Sequence, residues 1–425
     1  MKIYKTLRRA LKYFRTYGIK KFICRSLEFI LSHYEGIYFS FGMDTQKIPT
    51  TIPNTANHPP VILLAGIEWN FRFQRPQQLA RQFAQCGSTV FYCPPCTFRA
   101  RKNGWKIQRV VDTEHIYTVH FFTPVRSELW DISQNSSTLH AIQEEIQILI
   151  YQITAKQKRR PMLIVEQPFW GPVLSNITGA DIIYDCLDDF SDFEGIDDSV
   201  HELEKILLKN ADCIVSTAQQ IADRWKNYLK PQCIIRNATD FEHFSRKPDS
   251  CYKSTINHPI IGYHGAIEHW FDVELVENIA AAMTDCLIVL VGGIGNPDVK
   301  KCFIRHHNII LIGEVDYKKL PFYIYAFDIG ILPFLIQPLT LSTNPVKIYE
   351  YLATGIPVIS VPLPEMQHFD GLVSIADRDN FVPAIRRVLA NPGDPAKRRA
   401  FASQQTWAHR VKIFYRLQET LVKDR

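Results

Sequence analysis

Two successive series of short apolar runs, each bounded by glycine, proline or polar turns, constrain this chain's fold most. The first holds Val61-Ile-Leu-Leu-Ala-Gly66, Thr89-Val-Phe-Tyr-Cys93, Tyr117-Thr-Val-His-Phe-Phe122, Met162-Leu-Ile-Val-Glu166, Asp181-Ile-Ile-Tyr184 and Cys213-Ile-Val-Ser216. Helical patterns lie between them, at Gln143–Tyr151, Val200–Asn210 and Gln219–Tyr228, and a further helix opens near Pro76, a residue favoured in a first turn. After the polar stretch Ser245–Asn257 the alternation restarts with Ile260-Ile-Gly-Tyr-His264, Cys286-Leu-Ile-Val-Leu-Val291, Ile309-Ile-Leu-Ile312, Ile329-Gly-Ile-Leu332, Val358-Ile-Ser-Val361 and Leu372-Val-Ser-Ile375. Short apolar strands alternating with helices predict parallel, doubly wound sheets. The restart predicts two such domains.

The amino terminus reads differently. Residues 2–16 put Ile3, Leu7, Ala10, Leu11 and Phe14 on one helical face, and residues 19–34 repeat the pattern after Tyr17-Gly18. Nine cations face only Glu28 in the first thirty residues. Two basic amphipathic helices over residues 1–34 suit the surface of an anionic membrane, where each cation near the surface adds about 1 kcal/mol. A helical hairpin packed on the body is the competing reading. Residues 46–59, rich in Pro, Thr and Asn, form a linker. At the other end Trp407, Val411, Phe414, Tyr415 and Leu421 share a face of a last helix.

The net charge of +6 comes from that amino-terminal excess, so the body is slightly acidic and generic nucleic-acid binding is excluded as an expectation. The ten cysteines are scattered through apolar runs and read as reduced, buried thiols. Cys93-Pro-Pro-Cys96 lacks both a thioredoxin context and a second pair to close a zinc site. With no secretory h-region and no run long enough to span a bilayer, the expected location is cytoplasmic, peripheral on the inner face of the membrane.

The most informative stretch is Ser342-Thr-Asn344-Pro-Val-Lys347-Ile-Tyr-Glu350-Tyr-Leu-Ala-Thr-Gly355-Ile-Pro357. Lys347 and Glu350, three apart, share a helical face, and Gly355 and Pro357 end the helix. A cation and a carboxylate on one turn suit a nucleotide sugar, the ammonium meeting phosphate and the carboxylate ribose hydroxyls. A surface ion pair explains the same spacing. Gly262, Gly265, Gly292 and Gly293 fall at strand ends, where open sheets bind ligands and where glycine lets backbone N–H groups approach phosphate. Each alone is also an ordinary turn glycine. Earlier in the chain Asp185, Asp188, Asp189, Asp192 and Glu194 cluster just past a strand, as general base, as acceptor contacts, or as a solvated loop. Arg72, Gln74 and Arg75 follow the first strand. Arg75 is the stronger phosphate candidate, because a guanidinium donates twice. His120 is a candidate base or an edge histidine.

The stretch Pro345–Val358 resembles the nucleotide-sugar helix of GT-B glycosyltransferases, close to glycosyltransferase families 4 and 1. Gln74-Arg75-Pro76-Gln77-Gln78-Leu79, Tyr184-Asp185-Cys186-Leu187-Asp188-Asp189-Phe190, Arg236-Asn237-Ala238-Thr239-Asp240 with Phe244, Gly262-Tyr-His-Gly265 with Trp270-Phe-Asp272, and Phe327-Asp328-Ile-Gly-Ile-Leu-Pro333-Phe334 resemble, in order, the teichuronic-acid and exopolysaccharide-type transferases of that group. The resemblance implies a GT-B fold: two Rossmann-like α/β domains facing a cleft, acceptor on the first (56–245) and nucleotide sugar on the second (256–396). It also implies a terminal helix (397–425) crossing back to the first domain, beside the basic extension 1–45. The implied activity moves a sugar from a nucleotide-diphosphate donor to a glycan or lipid-linked polysaccharide precursor, without cofactor or metal. Asp377-Arg-Asp379, the sole Asp-X-Asp, sits in a late turn. Asp185 and Asp188 are then catalytic candidates. Gly265, Gly293, Asn344, Lys347 and Glu350 bind the donor. Arg72, Gln74, Arg75 and Asp189 meet the acceptor. Ser342 stands where many family 4 members carry a glutamate, and Ala266–Asp272 lacks their diphosphate-gripping Arg and Lys. A non-catalytic GT-B-shaped scaffold subunit, and a nucleotide-sugar epimerase or hydrolase of the same fold, are the alternatives.

Overall fold

The computed structural model describes residues 58–111, 113–129, 135–190, 199–254 and 257–423. The expected basic amphipathic helices of residues 1–34, and Asp192 and Glu194 of the acid cluster, fall outside the described residues. The described chain divides into two units, 58–236 with 407–423, and 237–406.

The first unit is built on a nine-stranded sheet. Its strands are β1 (Val61–Leu64), β2 (Val90–Cys93), β3 (Thr97–Arg99), β4 (Gly104–Arg109), β5 (Ile116–Thr123), β6 (Met162–Val165), β7 (Asp181–Cys186), β8 (Cys213–Ser216) and β9 (Gln232–Ile234), in the order β3-β5-β2-β1-β6-β7-β8-β9. Only β4 runs antiparallel, along β5. The central strands β1, β2 and β6 are buried at every residue, which is why they read as unbroken apolar runs. Three strands escape the sequence reading: β3 and β4 mix charge with aromatics, β9 is only three residues long, and none holds an apolar run.

The second unit holds a six-stranded parallel sheet, β12-β11-β10-β13-β14-β15. Its strands are β10 (Ile260–His264), β11 (Leu287–Val291), β12 (Ile309–Gly313), β13 (Ile329–Leu332), β14 (Val358–Ser360) and β15 (Ser374–Ile375). The helix Val346–Thr354 lies between β13 and β14 and ends where Gly355 takes φ +85°, a left-handed cap.

The unit boundaries differ from the sequence expectation. The chain leaves the first unit at 236/237 rather than near 245–256, because Asn237 is hydrogen-bonded to Asn344 of the second unit. The expected terminal helix 397–425 is two helices, Pro395–Gln404 and Trp407–Lys423. The first stays with the second unit, where Arg398 and Arg399 donate to the carbonyls of Gly355 and Thr354. The second returns to the first unit. There Tyr415 Oη lies 2.8 Å from Ser88 Oγ, Phe414 packs edge-on to Phe83, and Gln418 donates to Asp181 at 2.7 Å.

None of the nine described cysteines forms a disulfide. Cys93 and Cys96 are both buried, and burial holds the Cys96 thiol up at about 12, so it keeps its proton. No described helix is long and apolar enough to cross a membrane.

Candidate functional site

In the second unit the carboxyl ends of β10 and β11 are joined loop to loop. Gly265 N–H donates to Val291 O at 2.8 Å, Ile267 N–H to Gly293 O at 2.9 Å, and Gly295 N–H back to Ile267 O at 3.2 Å. This closeness requires glycine. A Cβ on Gly292 would run into the carbonyl oxygen of Gly265, and a Cβ on Gly265, at φ +125°, would run into Lys347 Cε. Lys347 therefore lies across bare backbone. Its Nζ stands 5.6 Å from the Tyr263 ring and 5.7 Å from the Phe334 ring, within cation–π range.

One turn later Glu350 is 5% exposed, and its Oε2 stands 3.1 Å from Nε2 of His264, the last residue of β10 and 4% exposed. The backbone N–H of His264 donates to Tyr351 Oη at 3.0 Å, and its ring meets the Tyr351 ring edge-on at 4.9 Å. Lys347, Glu350 and Gly265 thus come together at the carboxyl ends of β10 and β11. Gly293 joins them through its carbonyl, which ties the two loops.

Asn344 does not join them as a binding group. It is 2% exposed and fully engaged: Oδ1 accepts from Asn237 N at 2.9 Å, its carbonyl accepts from Asn237 Nδ2 at 2.7 Å, and Nδ2 donates to Glu365 at 2.8 Å. Its expected donor contact gives way to a clamp on the chain where the second unit begins. Ser342 Oγ bonds back to the Pro338 and Leu339 carbonyls.

The first unit revises more assignments. Asp185, fully buried in β7, accepts from Arg75 Nε at 2.9 Å and NH2 at 2.8 Å. Arg75 also reaches Arg236 O at 3.4 Å and lies over the Trp407 ring. A buried bidentate pair of this kind leaves Asp185 unsuited to be a base and Arg75 unsuited to grip an acceptor. Asp189 is held by Arg224 at 2.7 Å, and Arg224 also reaches Glu204, which accepts from Tyr184. That contact gives Asp189 a structural partner within the first unit. Gln74 is exposed and starts the helix Arg75–Gln85, its N–H donating to Gln77 Oε1 at 3.0 Å. Arg72 lies over the exposed Phe71 ring at 5.2 Å, and Asp188 is half-buried, its carbonyl accepting from the Cys186 thiol. His120 is an edge histidine, facing Phe98 and Thr118, with burial pulling it down to about 4.

Two buried acids carry signals that the sequence reading passed over. Glu166, at the end of β6, accepts from Gly66 N at 3.3 Å, and its Oε1 has no partner. Burial first, and then the Asp185 carboxylate, push its carboxyl well above the usual range against the pull of Arg75. Glu365 anchors Asn344. His264 was also missed, although it stands beside Gly265 in a motif already singled out. Among the described residues no group of three or more His, Cys, Asp or Glu is placed to hold a metal ion.

Residues 258–391 match the family model Glycosyl transferases group 1. Over 264 residues, 56% of this chain and 66% of the relative, the sequence is 27% identical to a Bacillus subtilis (strain 168) protein assigned to teichuronic acid biosynthesis as the glycosyltransferase TuaH. The chain therefore spans just under two thirds of that relative's length. The fold matches sucrose-phosphate synthase from Thermosynechococcus elongatus at TM-score 0.66 and 16% identity, over 87% of this chain and 100% of that one. The chain has the GT-B fold. A second GT-B match is Anabaena HepE, solved in complex with UDP and glucose, at TM-score 0.62 and 12% identity over 86% of this chain and 100% of that one. The matched family domain is the unit that carries Lys347, Glu350 and the glycine-edged strand ends.

Proposed function

We propose that this protein transfers a sugar from a nucleotide-diphosphate donor to a glycan or lipid-linked polysaccharide precursor. The observation that carries the reading is the placement of Lys347 and Glu350, one helical turn apart, against the glycine-edged ends of β10 and β11. Gly265 and Gly292 let backbone come close to a diphosphate, Lys347 supplies its counter-charge, and Glu350 accepts from the ribose hydroxyls. The HepE complex holds UDP and glucose, which makes UDP-sugars the first donors to test. In the transfer, an acceptor hydroxyl attacks the anomeric carbon, the bond to the diphosphate breaks, and the nucleoside diphosphate leaves. Asp188, half-buried beyond β7, is the remaining carboxylate of the catalytic pair to take the hydroxyl proton. Arg72 and Gln74 remain the acceptor-side candidates. No metal has a part in this scheme, so chelators should leave turnover unchanged.

The location follows the acceptor. Residues 1–34 dock the protein on the inner face of the membrane, where a lipid-linked precursor sits. Their cationic excess and two apolar stripes support this. Binding to anionic vesicles should weaken as salt rises, and removing residues 1–45 should abolish it while donor binding persists.

Calorimetry against UDP-, GDP-, ADP- and TDP-sugars tests the donor site. Wild type should bind at least one, and Glu350→Ala should lose at least about tenfold, or about 1.4 kcal/mol. A wild type that binds none of them overturns the reading.

A further inference from the structure

We infer that His264 is a positioning residue for Glu350: it fixes the carboxylate so that its second oxygen faces the ribose diol, and thereby sets the preference for a ribonucleotide over its 2′-deoxy counterpart. The inference rests on the reading that Glu350 holds the ribose.

A glutamate side chain has three rotatable bonds, and a carboxylate offers about four lone-pair directions. Burying such a group without a partner is costly, so something must hold it in place. Here the Glu350 and His264 side chains are 6% and 5% exposed, and one oxygen, Oε2, stands 3.1 Å from His264 Nε2. With that oxygen turned to the imidazole at ion-pair distance, Oε1 is the oxygen left to accept. Two vicinal hydroxyls need acceptors in a fixed direction, which a rotating carboxylate would not provide.

The histidine is itself immobilised. It ends β10, which has β11 on one side and β13 on the other. Tyr351, the residue after Glu350, grips it twice, taking its backbone N–H on the phenol oxygen and its ring edge on the aromatic face. The sheet therefore fixes the imidazole, and the imidazole stands 3.1 Å from the carboxylate that it would position. Support of this kind from a rigid element is what a selective binding group requires. A histidine that only fills the core would contribute to stability and leave sugar selectivity untouched.

The test is calorimetry with UDP and 2′-deoxy-UDP, with GDP and ADP and their 2′-deoxy forms alongside, and a melting curve for each variant. Wild type should prefer the ribonucleotide. His264→Ala should weaken ribonucleotide binding about tenfold and leave the 2′-deoxy form nearly unchanged. His264→Gln, whose amide nitrogen can reach Oε2, should retain the preference. His264→Asn, which is too short, should lose it. A folded His264→Ala that keeps the wild-type preference, or weakens both ligands alike, overturns the inference. If His264→Ala does not fold, equal preferences in the Gln and Asn variants overturn it. Glu350→Gln separates the two levels: if it leaves the preference intact, the ribose reading itself falls. If it abolishes the preference while His264→Ala does not, only the positioning role falls.

Discussion

Arg75 and Asp185 close on each other through two hydrogen bonds, 2.9 and 2.8 Å long, with both side chains at 5% exposure or less. Removing one partner strands a buried charge, which typically costs about 3–5 kcal/mol. Arg75→Ala should therefore destabilise the first unit by that order in urea unfolding. Asp185→Asn should lower stability as well as any activity. A fully stable but inactive Asp185→Asn would instead restore Asp185 as a catalytic group.

Asn344→Ala should be costly for its size. It removes two side-chain hydrogen bonds at once and leaves Glu365 and the Asn237 backbone N–H without this partner. An unsatisfied buried polar group costs about 1–3 kcal/mol, so a loss of at least 2 kcal/mol or so is expected. Thermal melting checks it. A loss confined to donor affinity, with the melting point unchanged, would show that the clamp is not the residue's role.

Gly265→Ala should weaken donor binding and stability together. Its φ of +125° disfavours any side chain, and the new methyl would displace Lys347. A strain of about 1–3 kcal/mol is expected, with a rise in donor Kd measured by calorimetry. By contrast Gly313→Ala, at φ +82° with open space around it, should cost stability alone.

Glu166 gives a pH signature. Its carboxyl is raised by burial in the folded chain, so the folded state holds a proton that the unfolded state releases above pH 4.5 or so. Its contribution to stability is full below the unfolded value and is lost as pH rises through the folded one. Glu166→Gln should therefore gain on wild type by about 1.4 kcal/mol per pH unit across that window. Urea midpoints at pH 5, 6, 7 and 8 check this. A difference that stays flat with pH would mean that Glu166 is ionised in the fold.

What was legible followed from pattern. Strands β1, β6 and β11 are unbroken apolar runs, and the helix Val346–Thr354 announces its end with Gly355-Ile-Pro357. Charge partners were not legible. Asp185 and Arg75 are 110 residues apart in sequence, so their local motifs could suggest chemistry but not that each consumes the other. The same applies to Asn344 with Asn237, 107 residues apart, and to Asp189 with Arg224. Lys347 and Glu350 were legible because one helix places them, whereas His264 needed the sheet to bring it to Glu350.

The closing helix Trp407–Lys423 makes the first unit discontinuous in sequence, with the whole of 237–406 set between its parts. During synthesis, the order of completion is therefore the reverse of the order of appearance. Residues 237–406 have all their own strands in hand before the helix that covers Phe83 and Ser88 has left the ribosome. The unit that is translated first waits longest with an uncovered apolar face, and it is the one that depends most on protection while the chain is made.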